Sequence, residues 1–264
     1  MKFRAIFIDV DGTLLTDQLD ISQLTKEAIT WAHSKGVLVV IVTARSPAAS
    51  LFLYDDLGIN NNPIVCFNGA LIVQDAAILL DQQIEESDIK GIVRLLNGFD
   101  INLSIYRHHD WFTDKVDRWI EQESAITHSV INRIDFAALL EDGFCANKIL
   151  CMGEPDEVDR AEKYLKQIGF IHLNIHKSKP TYLEITNVNA SKKQGIEKLL
   201  HAYKISPQEI IAIGDNFNDI DMLQYAGTSV VMGNAPAEVK KVATFVTDTN
   251  NNDGIAKAIE KLFS

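Results

Sequence analysis

The sequence is poor in the features that mark a chain for secretion, a membrane or a nucleic acid. It holds only three cysteines, Cys66, Cys145 and Cys151. They are odd in number, far apart and without CxxC spacing, which excludes a disulfide framework and a thiolate zinc site. Each is flanked by apolar residues, so all three are expected as small buried thiols in a reducing compartment. No apolar run is long enough to span a bilayer. The start resembles a signal peptide for a few residues, but Asp9 breaks the apolar stretch too early and no small-residue cleavage site follows. The expectation is a soluble, cytoplasmic chain that does not engage a membrane. There is no long basic run either, and the net charge is −11. Binding a phosphate backbone needs clustered Lys and Arg, so nucleic acid is not expected as a partner. Internal repeats and low-complexity segments are missing; the triplets at 60–62 and 250–252 are short loop signals.

What is present is material for a core. Hydrophobic residues make up 47% of 264, which argues against disorder and allows one large or two medium domains. The first third alternates strand and helix signals. Phe3 to Asp9 is predicted as a strand. Ser22 caps a helix running to about Lys35, with Leu24, Ala28, Trp31 and Ala32 on one face, and Gly36 ends it. Val37 to Val42 is a second buried strand. A helix is predicted from about Pro47 to Leu57, with proline in its first turn. Ile64 to Phe67 is a third strand, leading into Asn68-Gly69. Such alternation implies right-handed βαβ crossovers and a parallel sheet.

The middle reads differently. Helix signals lie at 85–96, 115–123 and 155–168, and strand signals near 101–106, 110–113, 145–152, 170–175 and 181–185. Paired strands with few helices suggest an antiparallel α+β insert. After Val188 the βα alternation returns. A helix over Ser191 to Tyr203 precedes a strand at Ile210 to Ile213, a helix at Ile220 to Tyr225, a strand at Thr228 to Val231 and a last helix at 254–263. One sheet domain interrupted by a second domain is expected.

Four segments carry chemistry. In the first, an apolar strand ends in Asp9-Val10-Asp11-Gly12-Thr13. Asp9 and Asp11 would share a face if the strand continued that far. Two anions so close repel unless a cation or shared proton intervenes, and Mg²⁺, which prefers hard oxygen ligands, is the economical choice. The second is Thr43-Ala44-Arg45-Ser46 after the second strand, where a hydroxyl and backbone N–H groups can bind phosphate. The third is Lys192, at a helix start. The fourth is Gly214-Asp215-Asn216-Phe217-Asn218-Asp219 after a buried strand. Alone, Thr43 is more often a helix cap, Lys192 a solvated charge, and the first motif an Asx-type turn. The Asp/Asn-rich stretch is a metal site about as readily as a polar loop.

Taken together and in this order, the four segments resemble the four motifs of the haloacid dehalogenase-like superfamily. The resemblance implies a fold and a set of roles. The fold is α/β, a Rossmann-like parallel sheet core at 1–80 and 188–264 with an inserted α+β cap at 81–187. Asp9 would be the nucleophile that forms an aspartyl-phosphate, and Asp11 the general acid/base, its main-chain carbonyl ligating the metal. Thr43 would hold a phosphoryl oxygen and Lys192 would neutralise nucleophile and phosphoryl group. Asp215 would complete the Mg²⁺ ligands with Asp9 and Asp11, supported by Asp219. Thr43, Ala44, Arg45, Asn68, Gly69, Lys192 and Asn218 would contact the substrate.

The stretch between Asp11 and Thr43 holds one helix and one strand, whereas the stretch from Thr43 to Lys192 has room for the whole insert. That arrangement resembles the Cof-type subfamily IIB with its C2B cap. Further similar segments are Asn68-Gly69-Ala70, Met232-Gly233-Asn234-Ala235 and Asn251-Asn252-Asp253-Gly254. Lys193-Gln194 departs from the subfamily, which usually places glycine directly after the motif lysine, so either Lys192 or Lys193 could point inward. The resemblance implies a cap that closes over the sheet domain and excludes water, with candidate contacts at 106–111 and 177–182. His108 and His109 are adjacent on a strand, face opposite ways and are read as surface polar residues; Trp111 is read as cap core. The expected function is a Mg²⁺-dependent phosphatase of small phosphorylated metabolites, most of all sugar phosphates. A phosphomutase of the phosphomannomutase type and a non-catalytic phosphometabolite-binding protein are the alternatives.

Overall fold

The computed structural model describes residues 2–140 and 143–264. In chain order its strands are β1 (Ala5–Ile8), β2 (Leu38–Ile41), β3 (Ile64–Cys66), β4 (Leu71–Gln74), β5 (Ala77–Asp81), β6 (Ile101–Arg107) and β7 (Asp110–Thr113). They continue with β8 (Asn132–Arg133), β9 (Lys148–Gly153), β10 (Leu173–Lys179), β11 (Tyr182–Asn187), β12 (Ile210–Gly214), β13 (Thr228–Val231) and β14 (Phe245–Val246). The helices are α1 (Gln23–Ser34), α2 (Leu51–Leu57), α3 (Glu86–Leu96), α4 (Arg118–Thr127) and α5 (Phe136–Leu139). They end with α6 (Pro155–Ile168), α7 (Lys192–Tyr203), α8 (Ile220–Tyr225), α9 (Ala237–Lys240) and α10 (Gly254–Phe263). Contacts divide the chain into two compact units, one of Met1–Ala44, Leu51–Leu80 and Ser191–Ser264, the other of Arg45–Ser50 and Asp81–Ala190.

The first unit is built on a parallel five-stranded sheet in the order β14-β13-β12-β1-β2. Strands β1 and β12 are apolar and buried along their whole length, as a parallel strand covered on both faces requires. A bridge from Val42 to Val65 joins β2 to the antiparallel pair of β3 and β4, which β5 extends. That hairpin carries no signal strong enough to separate it from a loop in the sequence.

Helix α1 begins where Ser22 accepts a hydrogen bond from the Thr25 N–H. Its buried stripe is Thr25, Ile29 and Ala32; of the expected face Ala32 is buried and Ala28 half-buried, but Leu24 and Trp31 are exposed. Trp31 instead meets Phe263 of α10 edge-on at 5.6 Å. Helix α2 starts at Leu51 rather than at Pro47. Ser46 accepts from the Ala49 N–H, and the Ser50 hydroxyl donates to the Ser46 carbonyl, so side-chain bonds hold a turn where the helix was expected. Helix α4 likewise starts late, at Arg118, because Asp117 caps the Trp119 and Ile120 N–H groups.

The second unit holds a six-stranded sheet in the order β10-β11-β9-β6-β7-β8. Its pairs are antiparallel except β7 with β8. Alternation sorts β6 cleanly: Ile101, Leu103 and Ile105 face a core made with Ile89, Ile92 and Leu96 of α3 and Val158, Ala161 and Leu165 of α6. Each of these Ile, Leu and Val side chains contributes about 1.5–3 kcal/mol on burial. The opposite face is polar yet buried, and carries a Lys148–Glu184 ion pair at 3.2 Å. The fold class is thus α/β with a parallel core sheet and a separate antiparallel sheet.

Two of the three thiols are buried, and burial pushes Cys151 up to about 12 and Cys66 higher still, so neither forms a thiolate. Cys145 differs from expectation: it is half-exposed beside Glu85. No helix among the described residues is long and apolar enough to cross a membrane.

Candidate active site

The core sheet reverses its winding beside β1. From β1 the chain moves to β2 on one side, while β12 leads to β13 and β14 on the other. The crevice outside the carboxyl ends of β1 and β12 is therefore a topological switch point, where open α/β sheets bind ligands. Asp9 follows β1, its N–H donating to the Ile213 carbonyl at 3.0 Å. Asp215 follows β12. Thr43 follows β2, just beyond Val42, whose N–H donates to Ile8 at 2.9 Å.

Strand β1 stops at Ile8, one residue short of the predicted end, so the condition for Asp9 and Asp11 to share a strand face is not met. The chain turns at once, with the Val10 carbonyl accepting from Leu14 and Leu15 at 3.0 Å. Asp9 is buried, Val10 is buried and the Asp11 side chain is exposed. Gly12 has a φ of +83°, and a Cβ there would collide with the Asp215 carboxylate. The turn after β1 and the end of β12 thus meet through a glycine backbone.

Lys192 lies in the first turn of α7, capped by Ser191. Its side chain is fully buried, and its ammonium donates to Asp9 Oδ1 and to Asp219 Oδ1. Lys193 is half-exposed, 5.4 Å from the Tyr225 ring, and it is Lys192 that points inward. The start of α7 is pressed against Gly69 (φ +98°), where a Cβ would strike the Ser191 carbonyl. Asp219 Oδ2 accepts the N–H groups of Asp215 and Asn216, both at 2.9 Å. Thr13 Oγ1 donates to Asp215 Oδ1 at 2.7 Å.

Asp9, Asp215 and Asp219 each offer a carboxylate oxygen, all within 4.8 Å of one another. The Lys192 ammonium pairs with two of these three carboxylates, Asp9 and Asp219. Burial holds Asp9 well above the usual carboxylate range, Asp219 adds to this, and Lys192 offsets it only in part. Burial likewise pushes Asp215 up to about 6 against the Thr13 hydrogen bond, with Asp11 among the charges that raise it. Burial works against the charge of Lys192, but Asp219 and Asp9 outweigh it and hold the ammonium above the ordinary lysine range. Buried carboxylates that resist ionisation lack countercharge. All-oxygen, anionic donors of this kind suit a hard divalent cation such as Mg²⁺, so the residues fit that ion. Asp219 is engaged by the Lys192 ammonium and by two backbone N–H groups, whereas each Asp215 oxygen meets a single side-chain donor, at 2.7 and 3.5 Å. Asp11 lies outside the three-carboxylate group as a side chain.

The model of the haloacid dehalogenase-like hydrolases matches residues 6–259. The chain belongs to this family. A Haemophilus influenzae protein provisionally named a phosphatase is 36% identical over 266 residues, covering 100% of this chain and 99% of that one. The Bacillus subtilis 5-amino-6-(5-phospho-D-ribitylamino)uracil phosphatase YcsE is 31% identical over 262 residues, covering 98% and 95%. Among solved structures, a haloacid dehalogenase-like hydrolase from Bacteroides thetaiotaomicron has a TM-score of 0.93 at 26% identity, covering 99% of this chain and 100% of that one. The chain is a hydrolase of the phosphatase type, Cof-like within the family.

In this haloacid dehalogenase-like hydrolase the other expected positions fall as follows. Thr43 is buried, its N–H donates to Val65 at 2.8 Å, and its carbonyl accepts from the Asn68 N–H at 2.9 Å. Asn218 Nδ2 donates to Asn68 Oδ1 at 3.1 Å, which links those three positions. Ala44 belongs to the core unit, and Arg45, which is buried, to the second unit. Within the insert, His108 and His109 lie in the turn between β6 and β7 rather than on a strand; His108 pairs with Asp81 at 2.7 Å and His109 is exposed. Trp111 is buried and stacks on Tyr106, centroids 5.6 Å apart, as a core residue. Lys177 pairs with Asp159 on the surface, and Tyr182 donates to Glu123.

Three residues at the site carry no role in the sequence reading: Thr13, Asn234 and Asn250. Asn234 Nδ2 donates to the Gly12 carbonyl at 2.8 Å. Asn250 Nδ2 donates to the Leu15 carbonyl at 2.9 Å. The segments 232–235 and 251–254 mark this region in the sequence, but nothing local says which loop they reach.

Proposed function

We propose that this protein is a Mg²⁺-dependent phosphatase of small phosphorylated metabolites, sugar and polyol phosphates foremost, working through an aspartyl-phosphate. The observation that carries the reading is the buried Lys192 ammonium bridging Asp9 and Asp219 beside Asp215. A phosphate dianion and a carboxylate nucleophile repel, so their meeting point must be cationic. Lys192 stands at that point. The metal, when bound, supplies further positive charge; Asp9, Asp215 and the Asp11 main-chain carbonyl would hold it, with Asp219 in support.

The first displacement forms a bond from an Asp9 carboxylate oxygen to phosphorus and breaks the bond from phosphorus to the leaving oxygen. Asp11 gives that oxygen its proton. In the second, Asp11 takes a proton from water as the water oxygen attacks phosphorus, releasing inorganic phosphate and restoring Asp9. One acid/base residue serves both steps. The exposure of the Asp11 side chain suits a group that exchanges protons with substrate and water. Thr43, the backbone N–H groups after it and Asn218 would hold the phosphoryl oxygens. Residues 81–187 are assigned as the substrate-selecting cap, with Arg45, Asn68 and Gly69 among the substrate contacts.

The polyol preference draws on YcsE, whose named substrate carries its phosphate on a ribityl chain. A reducing cytoplasm fits the free, buried thiols of Cys66 and Cys151. The test is inorganic phosphate release with Mg²⁺ from hexose, pentose, pentitol, triose and coenzyme phosphates, with Asp9→Asn as the blank. Release by the wild type alone is expected, ranked by leaving group. Equal background from both proteins on every compound would refute the reading.

A further inference from the structure

The turn after β1 is tied down by two asparagines from distant loops, and this bracing bears on the metal site. Asn234, after β13, donates through Nδ2 to the Gly12 carbonyl at 2.8 Å and, at the long end of hydrogen bonding, to Asp215 Oδ2 at 3.5 Å. Its Oδ1 accepts the Asn250 N–H at 3.1 Å. Asn250 in turn donates through Nδ2 to the Leu15 carbonyl at 2.9 Å and to Asp17 Oδ1 at 3.2 Å. The turn is therefore held at Gly12 by one asparagine and at Leu15 by the other, and the two are linked.

The amide of Asn234 has one workable orientation. Reversed, its oxygen would face the Gly12 carbonyl and the Asp215 carboxylate, and its NH₂ would face the Asn250 N–H. A carboxylate could not replace it, for it has no donor to give Gly12. There is no room for a side chain between the two groups it joins: a Cβ on Gly12 would lie 2.5 Å from Asp215 Oδ2. Thr13 holds the other oxygen of the same carboxylate at 2.7 Å. Both Asp215 oxygens are thus oriented by hydrogen-bond donors, one from the turn after β1 and one from the loop after β13. Asn234 is exposed, so its hydrogen bonds add little to stability, and their geometry is directed at the site rather than at the core.

We propose that Asn234 is a positioning residue for the metal site, with Asn250 as its anchor. It sets the spacing between the Asp215 carboxylate and the Asp11–Gly12 backbone, the two parts of the site that come from different strand ends. This rests on the metal-dependent reading above. Groups that orient a metal ligand in this way change metal affinity about 10- to 100-fold when removed.

The test is calorimetric titration of Mg²⁺ into the substrate-free full-length protein, wild type and Asn234→Ala, beside thermal melts in EDTA. The expected result is Mg²⁺ affinity weakened about 10- to 100-fold, a melting temperature in EDTA close to wild type, and phosphate release restored toward wild type at saturating Mg²⁺. Unchanged Mg²⁺ affinity in the variant, with or without a lower melting temperature, overturns the proposal while leaving the phosphatase reading intact. A wild type that binds no Mg²⁺ at millimolar concentration overturns the metal-dependent reading and this inference with it. Asn234→Ser, which keeps a hydroxyl too short to reach Gly12, is judged by the same criterion should the alanine variant not fold.

Discussion

Lys192 and Asp9 form an ion pair between side chains 0% and 8% exposed, joining the start of α7 to the end of β1 across the centre of the site. A buried pair of this kind resists the loss of either member, because the survivor is left as an uncompensated charge. Lys192 also serves Asp219, so its removal strands two carboxylates.

Lys192→Met keeps most of the side-chain volume and removes the charge. Phosphate release is expected to fall at least about 10²-fold, the scale of losing one charge-stabilising donor in a dry site. Stability is expected to fall by about 3–5 kcal/mol at neutral pH, unless Mg²⁺ is present to replace the missing cation. Denaturant melts with and without Mg²⁺ read this directly. A variant as active as wild type would remove Lys192 from the mechanism.

Gly12→Ala should damage the site more than its chemistry suggests. The left-handed φ of +83° costs a Cβ-bearing residue about 1–2 kcal/mol, and the new methyl meets the Asp215 carboxylate as well. The expected outcome is weaker Mg²⁺ binding together with lost activity, seen by titration and by phosphate release. Wild-type Mg²⁺ affinity would mean the turn has room to shift.

How much of this could be read from the chain depends on whether the signal was local. The parallel core was legible because continuous apolar runs such as Ile210–Gly214 sit between helix signals. Asp9, Thr43, Lys192 and Asp215 could be singled out because each stands where such a run ends or a helix begins. The face of α1 was legible only at Ala32, because a threonine, Thr25, is buried while Leu24 and Trp31 are not. Asp9 and Asp11 would share a strand face only if β1 ran on through them, and it ends at Ile8. Thr13 and Asn234 were missed for a different reason. Their partners, Asp215 and Gly12, are more than two hundred residues away in the chain, and no spacing pattern reports such a contact.

Metal removal should expose the strain in the three-carboxylate group. Burial raises Asp9 and Asp215, so their ionised forms oppose folding, and a bound cation relieves that opposition. Adding Mg²⁺ to protein stripped with EDTA is expected to raise the melting temperature, by the equivalent of about 2.7 kcal/mol at a hundredfold excess over the dissociation constant. The increment should shrink sharply in Asp215→Asn. An equal increment in wild type and Asp215→Asn would place the ion elsewhere.

The last prediction concerns the second unit and acid. Glu184 is buried; desolvation opposes its charge, but Lys148 and His176 prevail and hold its carboxyl below the ordinary glutamate value. A depressed folded-state value means that ionised Glu184 stabilises the fold above the unfolded-state value, about 4.3. That contribution is lost as pH falls through the lower folded-state value, where the carboxyl takes up its proton. Glu184→Gln should therefore cost about 3–5 kcal/mol near pH 7, the scale of breaking a buried ion pair by neutralising one partner. The gap to wild type should narrow as the pH drops below 4.3, because acid progressively removes from the wild type what the substitution has already removed. Urea melts of both proteins at pH 7, 5 and 3.5 measure the gap at each point. A gap that stays constant down to pH 3.5 would mean that Glu184 holds the sheet by its shape and hydrogen bonds, with no share from its charge.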